Sequence, residues 1–123
     1  MTGSVLVVDA ANVVGARPDG WWKDRAGAAV RLHEQVLVAD LGYDEVVLVL
    51  EGAAKAGVPA GRDAHVRVVH APRDGDSEIR RQVERSIAAG SRVAVVTADR
   101  ALAANVAPVT VHGPGWLLDR VST

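Results

Sequence analysis

The chain has 123 residues, 49% of them hydrophobic, and a net charge of −1. A chain of this length buries roughly two-thirds of its unfolded surface, so residues 1–123 are read as one domain that needs no disulfide or structural metal to hold a core. The charge carries no global basic signature of a nucleic-acid binder, and the absence of cysteine excludes a disulfide framework, a zinc–thiolate site and a cysteine nucleophile.

No run approaches the ~20 apolar residues of a membrane span, and no basic segment leads a long apolar run at the N-terminus. The expectation is a cytoplasmic protein without a membrane partner. Aromatic residues make up only 3% and there is no Phe, so the core has to be built from Val, Leu, Ile and Ala.

Ser4-Val5-Leu6-Val7-Val8 is wholly apolar after its first residue and ends on Asp9; it reads as a buried central strand. Gly15 to Gly20, with Pro18-Asp19-Gly20, is rich in turn formers. From Trp22 to about Ala39 the apolar residues recur at helical spacing, with His33 and Trp22 on the apolar face as expected core residues. Val46-Val47-Leu48-Val49-Leu50 is a second buried strand, ending on Glu51. Gly52 to Asp63 reads as a loop with at most one helical turn, and Val66-Arg67-Val68-Val69 as a third strand.

Arg73-Asp74-Gly75-Asp76-Ser77 leads into a helix with Ile79, Val83 and Ile87 on its inner face and Gly90 beyond its end. Val93-Ala94-Val95-Val96-Thr97 is a fourth strand, followed by Asp99 and a short helix that stops near Pro108. Val109-Thr110-Val111 is a fifth strand, and Trp116-Leu117-Leu118 forms a short tail. Continuous apolar strands alternating with helices imply parallel pairing, right-handed crossovers and helices on both faces. The expected fold is an α/β three-layer sandwich with a sheet of about five parallel strands.

In such sheets ligands bind outside the carboxyl ends of the strands. Asp9, Glu51 and Asp99 end or follow the first, second and fourth strands, and Asp76 follows the third and opens a helix, so all four acids should gather on one edge. Crowded carboxylates raise one another's pKa, and a site that keeps them ionised calls for a cation. Oxygen ligands without cysteine or convergent histidine favour Mg²⁺ or Mn²⁺.

Each acid also has a plain structural role. Asp76 and Asp99 are good helix N-caps, Asp74 before Gly75 is a turn former, and Glu51 beside Gly52 suits an exposed loop. Asp9, directly after a buried strand, is poorly explained by packing. Trp21 could stack on a base or pack against a second copy; a homodimer is compatible with the sequence, which names no protein partner.

Three blocks of the sequence resemble one family. Val7-Val8-Asp9-Ala10-Ala11-Asn12 resembles the opening Asp-x-x-Asn signature of NYN domains, part of the PIN-like nuclease superfamily. Gly75-Asp76-Ser77-Glu78-Ile79 resembles that group's Asp-x-x-Ile helix start, and Val95-Val96-Thr97-Ala98-Asp99-Arg100 its late strand ending in Thr-x-Asp-Arg.

The resemblance implies a parallel sheet ordered 3-2-1-4-5, which makes Asp9 and Asp99 neighbours, and metal-dependent hydrolysis of RNA phosphodiesters. It implies Asp9, Asp76 and Asp99 as metal ligands and Asn12 as the residue that orients Asp9 or contacts substrate. Thr97 would bond a carboxylate at the substrate edge, and Arg17, Lys23, Arg73 and Arg100 would hold phosphate. Related nucleases often carry a further acid after the last Asp; here Ala101, Leu102 and Ala103 follow, and Glu51 is the candidate to supply that charge as a fourth metal ligand. Two other readings of the sequence are a catalytically degenerate nucleic-acid-binding or assembly module and a nucleotide pyrophosphohydrolase.

Overall fold

The computed structural model describes residues 3–121. Its strands are β1 (Ser4–Asp9), β2 (Glu45–Leu50), β3 (Gly61–Asp63), β4 (Val66–His70), β5 (Arg92–Val96) and β6 (Thr110–His112). Its helices are α1 (Ala10–Gly15), α2 (Arg25–Val38), α3 (Gly75–Ala88), α4 (Arg100–Val106) and α5 (Pro114–Val121), with 3₁₀ turns at Trp21–Lys23 and Gly52–Ala56.

One six-stranded sheet runs in the order β3-β4-β2-β1-β5-β6. Five strands are parallel, and β3 pairs antiparallel with β4 through Gly61–Val68, Arg62–Arg67 and Asp63–Val66. The five expected strands and their order are present, but the sheet is mixed rather than purely parallel. The extra strand is three exposed residues long and too polar to show in an apolar pattern; it covers the β4 edge, which would otherwise leave its backbone groups open to another chain.

Alternation along the strands divides the core in two. Leu6, Val8, Val46, Leu48, Leu50, Val66, Val68, Ala94 and Val96 face one side, packed by Val13 of α1, Leu32 and Val36 of α2, and Leu117 and Val121 of α5. Val5, Val7, Val47, Val49 and Val95 face the other, packed by Ile79 and Val83 of α3 and Leu102 and Val106 of α4. No Phe is needed, because branched aliphatic side chains on both faces of the strands fill these layers.

Three elements differ from the sequence reading. Asp9 starts a helix at once, because its carboxylate accepts from the backbone N–H of Asn12; α1 occupies what reads as small residues leading into a loop. The long helix begins at Arg25, capped by Asp24 through the Gly27 N–H at 2.9 Å, so Trp22 falls on the 3₁₀ turn and is 57% exposed rather than core. The C-terminal tail is the helix α5, which buries Leu117 and Val121. Ile87, in the last turn of α3, is half exposed rather than on the inner face.

The 3₁₀ turn Gly52–Ala56 is drawn tightly against the start of α2. A Cβ on Gly57 would lie 2.2 Å from the carbonyl oxygen of Ala26, a backbone atom that cannot rotate away. Gly57→Ala is therefore expected to destabilise the fold by about 1–3 kcal/mol, the usual cost of overpacking. A urea midpoint equal to that of the unsubstituted chain would show that the two segments do not meet so closely.

Candidate functional site

The parity that divides the core also aims the acids. Val8, Leu50 and Val96 face the α1/α2/α5 layer, so the next residues, Asp9, Glu51 and Thr97, turn toward α3 and α4. These helices start at the same edge and bring Asp76 and Asp99 with them. The β1–β5 pairing, with Val8 opposite Val96, is the point where the chain order reverses, the usual place for a ligand in such sheets.

Asp9 is only 3% exposed. Its Oδ2 accepts from Thr97 Oγ1 at 2.9 Å and from the Asn12 side-chain amide, and its Oδ1 lies 3.5 Å from the Asn12 backbone nitrogen. Thr97, also 3% exposed, in turn accepts from the Asp99 N–H at 3.1 Å. One buried hydroxyl thus bridges the two acids. Thr97 is an internal linker here, and Asn12 holds Asp9 as the orienting role requires.

The cap assignments on α3 are exchanged relative to the sequence reading. Asp74 is the N-cap, accepting from both the backbone N–H and the hydroxyl of Ser77; the Asp74-x-x-Ser77 spacing could have signalled this. Asp76 is left free of capping, in the first turn of α3. Asp99 caps α4 with Oδ1, at 3.0 Å from the Leu102 nitrogen, leaving Oδ2 outside the cap. Glu51 borders the group, with Oε2 accepting from the Gly75 N–H at 2.7 Å.

Ile79 and Val83 seat α3 on the sheet, and a polar row beside them fixes it. Buried Glu78 accepts from Gln82, and Gln82 accepts from Arg67 of β4 at 2.9 Å. Arg67 and Arg62 both pair with Glu45 of β2. The row holds the helix that carries Asp76.

Electrostatics mark Asp9 and Asp76 as strained. Burial raises the Asp9 pKa, the bonds from Thr97 and Asn12 oppose it, and the Glu51 charge adds to it. Burial also raises Asp76, followed by the charges of Asp99 and Asp9 and a hydrogen bond shared with Asp99. Asp74 goes the other way, lowered by its bonds to Ser77.

The donor set is all oxygen and suits a hard divalent cation. Among the described residues, however, no group of three such side chains is arranged to hold a metal ion as it stands: Asp9 has both oxygens engaged, and Glu51 is tied to α3.

Of the expected phosphate-holding cations, Lys23, Arg73 and Arg100 are exposed on segments at the strand-end edge. Arg17 is not at this edge. The unforeseen helix α1 carries the chain about 9 Å away from the strand ends, and the Arg17 guanidinium bonds Gln35 in the second half of α2 at 2.5 Å. Arg25, which sequence reasoning passed over, lies at the edge instead, its guanidinium 5.4 Å from the Trp21 ring. His33, expected in the core, is a half-buried residue of α2 whose Nε2 has no hydrogen-bond partner among the described residues.

By fold and site the chain is a mixed-sheet α/β domain with a carboxylate cluster at the switch point of its sheet. No family model matches it, and no curated protein is matched. Among solved structures it is similar to Rae1 (YacP) from Bacillus subtilis, crystallised as a point mutant, with a TM-score of 0.64 at 16% identity over 96% of this chain and 74% of that one. At this identity the likeness is one of fold. Among the described residues no helix is long and apolar enough to cross a membrane.

An aspartate with a raised folded pKa costs stability as pH climbs from its unfolded value through its folded one, because ionisation is harder in the folded state. Asp76→Asn should therefore raise the urea midpoint at pH 7 in the absence of divalent ions, with the gap closing below about pH 4, where aspartate is protonated in both states. A gap that persists at low pH would assign the effect to something other than carboxylate repulsion.

Proposed function

We propose that the chain is a Mg²⁺- or Mn²⁺-dependent ribonuclease that hydrolyses RNA phosphodiesters at the Asp9–Asp99 edge, in the manner of NYN and PIN-like nucleases. The observation that carries this reading is the meeting of Asp9, Asp76 and Asp99 from three separate elements at the switch point, two of them with pKa values raised in part by carboxylate neighbours. Structural proteins rarely keep such repulsion without a use for it.

Asp9, Asp76 and Asp99 would hold the ion, and Glu51 would add charge at the border. A bound ion of this kind lowers the pKa of water and offsets charge on the phosphoryl oxygens. The chain's own part is geometric. Thr97 and Asn12 fix the Asp9 carboxylate, the α4 cap fixes Asp99, and the polar row under α3 fixes Asp76. Lys23, Arg73 and Arg100 would hold the phosphates of a bound strand.

Cleavage of a mixed-sequence RNA panel with Mn²⁺ tests this. Asp9→Asn and Asp99→Asn should abolish cleavage. Asn12→Ala and Thr97→Val should lower it by about 10- to 100-fold, the usual effect of losing a group that orients a ligand. Equal residual cleavage by the unsubstituted chain, Asp9→Asn and Asp99→Asn would sink the assignment.

A second reading, a nucleic-acid-binding module without catalysis, is favoured by one observation: the carboxylates do not enclose a cation as they stand. Calorimetry separates the two. Mn²⁺ binding that is lost in Asp76→Asn supports the nuclease, and RNA binding with no Mn²⁺ binding supports the module.

A further inference from the structure

A cavity of about 580 Å³ opens on the other side of the strand-end edge from the acidic cluster. Ala10, Ala11 and Val14 of α1, Ala29 of α2, Leu50 of β2 and Ala54 form its floor. Their small side chains leave the space open. Trp21 walls the cavity, and Arg25 and Arg73 stand at its rim. Glu51 and Asp74 also line it, and Glu51 links it to α3, which carries Asp76, by accepting from the Gly75 N–H at 2.7 Å.

We propose that this cavity receives one unpaired nucleobase of a single RNA strand, laid against Trp21 and Arg25, with Arg25 and Arg73 on the flanking phosphates. The inference rests on the ribonuclease reading for its choice of RNA, and it assigns a binding subsite which that reading does not contain.

Size, shape and charge support the occupant. The volume falls within the range of small-ligand pockets and is far larger than a phosphate or a metal ion needs. An apolar floor beside an indole and a guanidinium is the surface on which splayed-out bases stack. Both rim arginines are exposed and stand in no ion pair among the described residues, so their charge is available to a polyanion. The three aspartates alone would repel that polyanion. A base anchored beyond α1 holds the strand while its neighbouring phosphate lies at the strand-end edge. A base paired in a duplex cannot enter, so the cavity selects single strands.

The test is binding of a fluorescein-labelled, mixed-sequence, eight-nucleotide single-stranded RNA, read by anisotropy in EDTA so that cleavage does not intervene. Trp21→Ala should weaken binding about tenfold, in line with the loss of one base–aromatic stack. Ala11→Leu, at an exposed position, should weaken it similarly by filling the cavity without touching the core. A double-stranded RNA of the same length should bind weakly and be indifferent to both changes.

Circular dichroism of each variant secures its folding. Single-strand binding unchanged by both substitutions, or no RNA binding at all, overturns the proposal. The ribonuclease reading is scored separately by the Mn²⁺ cleavage panel. Cavity-dependent binding without cleavage leaves the base subsite standing and removes the nuclease, and cleavage with cavity-independent binding does the reverse.

Discussion

The Thr97 hydroxyl, donating to Asp9 and accepting from the Asp99 N–H, ties the ends of β1 and β5 into one unit. Both side chains are buried, and a buried carboxylate without partners is costly. A hydrogen bond to a charged group contributes about 1.5–3 kcal/mol, which here offsets part of the cost of burying Asp9. The bond can form only because β1 and β5 are neighbours, and they are neighbours because the chain leaves β1 over one face of the sheet and enters β5 from the other.

The same acids serve two ends. Asp9 and Asp99 each cap the helix that follows a strand, α1 directly after β1 and α4 three residues beyond β5. For Asp9, burial and the Glu51 charge raise the pKa against the bonds from Thr97 and Asn12. Asp76 has no cap to balance the burial and the charges of Asp99 and Asp9 that raise its pKa. The cluster is thus kept under electrostatic load by packing elsewhere, above all by Ile79, Val83 and the polar row from Glu78 to Glu45 that clamp α3 to the sheet.

Two surfaces meet at the strand-end edge. The acidic one lies on the α3/α4 side and the apolar cavity on the α1/α2 side, and the change of side follows from single-residue steps in the chain. Asp9 points one way, and Ala10 and Ala11 line the other. One strand over, Leu50 and Glu51 both line the cavity, and Glu51 also accepts from the Gly75 N–H of α3. An extended polymer crossing the edge would meet both surfaces, whereas a small compact ligand would meet one.

Much of this was legible in the sequence for a simple reason. Buried parallel strands are continuous apolar runs, and an acid at the end of such a run has little to do with packing, so the five parallel strands, their order and the meeting of Asp9 with Asp99 could be read from Val-rich segments and three short motifs. What escaped was local or polar. Helix α1 has no apolar period of its own and exists because Asp9 caps it; β3 is three exposed residues that only β4 turns into a strand.

The exchange of roles between Asp74 and Asp76 depends on where α3 begins, a matter of one or two residues that Ser77 settles. Arg17, Trp22 and Arg25 were misjudged or missed because their positions follow from α1 and from the late start of α2. The sequence by itself determined which strand residues are buried and which acids end strands, since continuous apolar runs and side-chain alternation are properties of the chain. Only the tertiary structure decided which acids come together, which cations reach the edge and that a cavity opens beside them, because those depend on helices meeting across the sheet.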